Sequence, residues 1–145
     1  MEEKKEKELK SLVAVDGSEV SKKAVVLSAR FAAKTGVHLT LLHVLEDVVR
    51  YDKVPETWKY YLREQQAKKI LEEAKKLAEE NGAKSVDTKI AVGPVAEEIV
   101  RIAEEGGYVS IIIGTKGRSP LKKLLLGSVA EKVVLYAHCP VVVVR

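Results

Sequence analysis

Apolar residues recur along this chain in two rhythms. Nearly unbroken apolar runs at Leu12–Val15, Val37–Leu45, Val109–Ile113 and Val141–Val144 predict strands buried on both faces. Ser85–Val92 alternates and predicts one more strand. Between the runs the spacing lengthens to three and four residues. Ala24, Leu27, Ser28 and Phe31 form the expected core stripe of a helix that Ser18 or Ser21 caps and Gly36 stops. Leu62, Ile70, Ala74 and Leu77 mark a long helix from Pro55 to about Asn81. Val95, Ile99 and Ile102 mark a third, with Pro94 at its first helical position and Gly106-Gly107 as its stop. Ala130, Val133, Val134 and Ala137 mark a fourth, opened by Ser128-Val129-Ala130-Glu131 as a capping box.

Strands therefore alternate with helices, and most strands are apolar throughout. That pattern predicts an α/β fold: one open, doubly wound parallel sheet of five strands with helices on both faces, Rossmann-like in architecture. The 145 residues suit one domain. Residues 9–145 are expected to form it. The first eight residues, with four Glu and three Lys, are expected to be a flexible charged tail.

Composition removes several classes. Hydrophobic residues at 46% and charged residues at 32% exclude a disordered chain. No apolar run approaches the ~20 residues needed to span a bilayer. The amino terminus has no apolar core of the kind a secretory signal carries. The single cysteine, Cys139, rules out an internal disulfide and reads as an inert core thiol. The expected location is the cytoplasm. His38, His43 and His138 lack metal-ligand spacing, and His43 reads as a packed, satisfied histidine. There is neither a P-loop nor a Gly-x-Gly-x-x-Gly fingerprint.

Charge localises the chemistry. The net charge is +4, and the segment 114–128 holds Lys116, Arg118, Lys122 and Lys123 with no acid. Outside it, bases and acids balance at 21 each. In open parallel sheets ligands bind beyond the carboxyl ends of the strands. Two such ends stand out: Val15-Asp16-Gly17-Ser18 and Gly114-Thr115-Lys116-Gly117-Arg118. The second leads to Gly127-Ser128 at a helix start, where free amides and the macrodipole favour an anion. Glycines at 114 and 117 permit close backbone approach, and Lys116 and Arg118 add positive charge. The combination predicts a phosphate cradle.

The pattern Gly114-x2-Gly117-x9-Gly127-Ser128 resembles the nucleotide-binding signature of the universal stress protein (UspA-like) family, ATP-binding type. Val13–Ser18, Leu41–Val44, Gly93–Ala103, Ile111–Gly114 and Cys139–Val144 resemble that family's other segments in order and spacing. The resemblance implies an adenine nucleotide, ATP or AMP, in the crevice between the first and fourth strands. Asp16 would hold the ribose hydroxyls or a Mg2+ ion carried with the phosphates. Ala14 and Val15 would line the pocket, and Val44 would meet the adenine edge. Gly114, Gly117, Gly127, Ser128 and Val129 would contact ribose and phosphates. Ala130 replaces a hydroxyl residue frequent in the family, which favours a monophosphate. The resemblance also implies a homodimer paired through Val141–Val144 and a regulatory role in stress response with an unidentified protein partner. No residue presents itself as a base for activating water, so a binding protein is expected, with slow ATP hydrolysis at most. Gly114→Val and Gly127→Val are both expected to remove nucleotide binding without harming the fold.

Other classes compete. Gly114-Thr115-Lys116-Gly117 matches the Gly-x-x-Gly loop of KH domains, but it follows a strand rather than joining two helices, which makes nucleic acid the weaker reading. An interaction module with an empty pocket is a further alternative. Tyr51, Trp58, Tyr60 and Tyr61 cluster around the second connection and read as packing of the long helix.

Overall fold

The computed structural model describes residues 8–46, 56–115 and 126–145. Tyr51, Pro55, Lys116, Gly117 and Arg118, and residues 1–7, lie outside them. Nine elements follow in order: β1 (Lys10–Ala14), α1 (Glu19–Thr35), β2 (His38–Leu45), α2 (Glu56–Glu80), β3 (Val86–Val92), α3 (Val95–Glu105), β4 (Ser110–Gly114), α4 (Ser128–Tyr136) and β5 (Val141–Val144). The sheet order is β3-β2-β1-β4-β5 and every pairing is parallel. The order reverses between β1 and β4, so their carboxyl ends diverge there into a crevice.

Both sheet faces are covered, which is why the central strands are apolar at consecutive positions. Leu12 and Val13 are neighbours on β1 and both are fully buried, one on each face. Val13, Leu41 and Ile112 pack with Ala24, Ala29 and Leu71 from α1 and α2. Leu12, Leu42 and Ile111 pack with Ile99, Ile102 and Val133 from α3 and α4.

The helix faces depart from the expected stripes. Ala24 and Ser28 are buried, but Leu27 is 49% exposed and Phe31 65% exposed. The buried face of α1 is instead Ser21, Ala24, Val25, Ser28, Ala29 and Ala32. Small side chains bring the helix close to the sheet, and the bulkier Leu27 and Phe31 are left at its flank. Leu62 on α2 and Val134 on α4 are likewise exposed. On α2 the buried positions are Ala67, Leu71, Ala74 and Ala78. Trp58 stacks on Tyr61 with ring centroids 5.8 Å apart, but Trp58, Tyr60 and Tyr61 are all exposed and form no core.

Helix boundaries bear on the site. Ser18 caps α1, its hydroxyl accepting from the Ser21 amide at 3.2 Å. Gly36 ends that helix in the left-handed region, φ 75°. Pro94 is the N-cap of α3 rather than its first residue. The expected capping box at α4 does not form. Gly127 is the N-cap, Ser128 is already helical, and among the described residues no side chain caps the first turn. A one-residue shift moves the serine hydroxyl past the position from which it could reach back to the free amides.

At the amino ends of β2 and β3 a polar cluster closes on itself. Tyr108 donates to Thr40 Oγ1 at 2.9 Å, and Thr40 donates to Asp87 Oδ1 at 2.6 Å. His38 joins Asp87 Oδ1 at 2.7 Å through Nε2 and Ser85 Oγ at 2.6 Å through Nδ1. These bonds tie the edge strand β3 to β2.

Candidate functional site

The turn after β1 builds one wall of the crevice. Asp16 Oδ1 accepts from the Ser18 amide at 2.8 Å, an Asx turn that directs the chain into α1. The Asp16 amide donates in turn to Ser21 Oγ at 3.3 Å. Partial desolvation pushes the Asp16 carboxyl up. Hydrogen bonds from Ser18 and Ser21 and the nearby His43 outweigh it and hold the group below its ordinary value of 3.8. Asp16 is thus an anion across the physiological range.

The end of β2 forms the floor. His43 Nδ1 donates to the Val15 carbonyl at 2.6 Å, since that oxygen can only accept. The bond fixes the ring while leaving it on the cavity wall, so His43 is both satisfied and part of the site.

Gly114 ends β4 under the start of α1. A Cβ placed there would stand 2.5 Å from Val20 Cγ1 and 3.1 Å from the Val20 carbonyl carbon. The absence of a side chain is therefore required by the α1–β4 approach. This corrects the expectation that Gly114→Val would leave the fold intact.

The resulting cavity has a volume of about 600 Å³. Ala14, Val15, Asp16, Val44, Gly114, Gly127 and Val129 all line it, so seven candidate residues from four separate segments converge on one space. Ser128, exposed at the first helical position of α4, is not among the lining residues. Lys116, Gly117 and Arg118 lie outside the described residues.

Sequence reasoning missed Glu19, Glu46, Val95, Ile99 and Thr115, which also line the cavity. Glu46 directly follows β2, and the rule that sites gather at strand ends would have found it. Val95 and Ile99, which mark the third helix by their spacing, pack in the α3–α4 core and also face this space.

Electrostatically the described lining carries three carboxylates, on Asp16, Glu19 and Glu46, and no Lys or Arg. Positive potential comes from the open amino terminus of α4, whose N-cap Gly127 and first-turn Val129 and Ala130 lie on the wall. Among the described residues no group of three or more His, Cys, Asp or Glu could hold a metal. Asp16 alone offers one oxygen, which suits an ion arriving with a phosphate but makes no metal centre by itself. Cys139 is remote from this chemistry: it precedes β5, packs against the α3–α4 core, and its thiol is pushed up by burial.

Among the described residues no helix is long and apolar enough to cross a membrane. The chain matches the model of the universal stress protein family over residues 10–145. It is 38% identical over 146 residues to the universal stress protein YxiE of Bacillus subtilis, covering 94% of this chain and 98% of that one. The solved structure of MJ0577, a protein of Methanocaldococcus jannaschii, superposes with a TM-score of 0.76 at 37% identity, covering 94% of each chain. A universal stress protein solved in complex with cAMP superposes with a TM-score of 0.70 at 25% identity, covering 94% of this chain and 96% of that one. The chain belongs to the universal stress protein family.

Proposed function

We propose that the cavity between β1 and β4 binds an adenine nucleotide and that the protein is a nucleotide-responsive regulator. The observation that carries this reading is the convergence of the uncapped α4 amino terminus with the Asp16 turn on one open space. A cavity of ~150 Å³ holds benzene. By the same scale about 600 Å³ accommodates roughly two dozen non-hydrogen atoms, the size of a nucleoside monophosphate. The cAMP complex of a relative supports the same ligand class.

Asp16 then accepts from the ribose hydroxyls, and Val44 meets the base through its backbone. Gly114, Gly127 and Val129, with Gly117 from the connecting segment, surround the ribose and phosphate. Charge ranks the ligands. Three carboxylates on the wall disfavour a bare triphosphate, so AMP or cAMP is preferred and ATP needs Mg2+ or Lys116 and Arg118 to offset its charge. We read binding rather than turnover as the function, in the cytoplasm and in response to stress.

The regulatory form is a homodimer. β5 is an edge strand, and exposed Val134, Leu135, Tyr136 and Val142 lie on it or on the adjoining helix. A partner protein reads which arrangement nucleotide favours.

The test is a thermal melt with AMP, cAMP and ATP, with and without Mg2+, together with mass spectrometry of any ligand released from purified protein. Saturating AMP at 100 times its Kd stabilises by about 2.7 kcal/mol. No rise with any of the three nucleotides contradicts the reading. Sedimentation at micromolar protein concentration tests the dimer, and a monomer contradicts it.

A further inference from the structure

Asp16, Glu19 and Glu46 put three carboxylates on the wall of the cleft, and they are not equally free. Asp16 accepts from the Ser18 amide at 2.8 Å. Glu19 Oε1 pairs with Lys22 Nζ at 3.3 Å. Glu46 is held by its main chain instead, its carbonyl accepting from Arg63 Nη1 at 3.0 Å. Its carboxylate has no partner among the described residues. An exposed acceptor, fixed at its root and unspent, stands on the cleft wall.

The strand below it decides which part of a ligand it meets. Successive residues of β2 address opposite neighbours. His38 donates to the Leu9 carbonyl and Leu42 accepts from the Val15 amide, both on the β1 side. Leu39 donates to the Ser85 carbonyl and Leu45 accepts from the Gly93 amide, both on the β3 side. By that alternation the N–H and C=O of Val44 are aimed toward β1. The β1–β2 ladder ends, however, with Ala14 opposite Leu42, and the Val15 carbonyl is taken by His43. Val44 thus presents to the crevice a donor and then, further along the strand, an acceptor. The complementary base edge is an acceptor followed by a donor. Adenine has that edge, with N1 beside its 6-amino group. Guanine and hypoxanthine carry N1–H beside O6, the reverse. Of the two amino hydrogens, the Val44 carbonyl takes one. The other points on along the strand, toward residue 46. Glu46 follows Val44 by two residues, so Leu42, Val44 and Glu46 fall on one side of the strand line, and all three line the cleft.

We propose that Glu46 is the residue that selects the base: its carboxylate accepts from the 6-amino group of a purine, so the cleft prefers 6-aminopurine nucleotides. With oxygen at that position, two acceptors would face each other with no proton between them. The inference rests on the nucleotide reading of the cleft given above.

The test is calorimetric titration of the full chain with AMP and with purine riboside 5′-monophosphate, which lacks only the amino group. The readout is the ratio of the two affinities. Removing the Glu46 charge alters phosphate affinity alike for both ligands, and any general deformation of the cleft weakens both, so neither effect moves the ratio. Wild type is expected to prefer AMP by more than about tenfold. Glu46→Ala should lose about tenfold of that preference, as one charge-assisted hydrogen bond requires. Glu46→Gln, whose amide oxygen still accepts, should fall between them. Both variants keep the Arg63 bond, which is made to the main chain. The proposal is overturned if Glu46→Ala keeps the wild-type ratio within about twofold. It is overturned equally if wild type binds both ligands without discrimination, in which case the nucleotide reading stands and the role of Glu46 falls alone. If wild type binds neither ligand, the nucleotide reading falls and takes this inference with it.

Discussion

α1 and α4 both begin at the rim of the same cleft, but their first turns are finished differently. At α1 the chain supplies its own partners: Ser18 Oγ accepts from the Ser21 amide, and Asp16 accepts from the Ser18 amide. At α4 the N-cap is Gly127, which has no side chain to offer, and among the described residues no side chain reaches the first-turn amides. A helix start left open toward a cavity retains partial positive charge and hydrogen-bond donors. The closed start holds the wall in shape, and the open one is available to a ligand. If the cleft binds a nucleotide as proposed, the contrast assigns its phosphate to α4 rather than to the Asp16 turn, where a carboxylate already accepts from the Ser18 amide.

The largest expected effect comes from disturbing the place where the two halves of the cleft meet. Gly114→Val drives a side chain into Val20 at the start of α1. It should cost roughly 2 kcal/mol, as overpacking does, and lower Tm by about 5 °C. A variant as stable as wild type would show that α1 can lift off β4 freely. Next, Ser18→Ala opens α1 as α4 is open. It should cost about 1 kcal/mol in denaturant unfolding, while nucleotide affinity stays within about twofold. A tenfold loss of affinity would mean that the two helix starts share the anion.

The smallest effect is in the pH dependence of the Asp16 turn. The folded carboxyl titrates below its ordinary value of 3.8. Its contribution to stability is therefore fully present above that value and is lost as pH falls through the lower, folded one. The Tm difference between wild type and Asp16→Asn should be constant at neutral pH and shrink on acidification below about pH 4. A difference that stays flat down to pH 2 would show that the Ser18 and Ser21 bonds do not discriminate the charged form.

The alternation of strands and helices and the two covering layers were legible because the central strands carry consecutive apolar residues, and glycines or prolines punctuate most of their ends. Asp16, Gly114 and Gly127 were legible for the same reason: the first two stand where a strand stops and the third where a helix starts. Periodicity could not give the width of each buried stripe. Leu27 and Phe31 fall on the helical rhythm of α1 but lie beyond the edge of what the helix covers. Nor could local pattern distinguish Gly127 from Ser128 as the cap, because a serine followed three residues later by glutamate satisfies the motif whether or not the chain enters the helix one residue sooner. The bonds of the His38–Asp87–Thr40–Tyr108 cluster join residues as much as 68 positions apart, Thr40 and Tyr108, and left no local trace.

The most direct measurement is calorimetric titration of AMP and of adenosine into wild type and into Gly127→Asp. The substitution caps α4 with a carboxylate, at a backbone conformation of φ −63° that any residue adopts, and should change stability by only a few tenths of a kcal/mol. If the open turn holds the phosphate, wild type prefers AMP over adenosine by at least about tenfold, or ~1.4 kcal/mol, and the variant loses that preference while still binding adenosine. Equal AMP affinity in the two proteins would contradict the account.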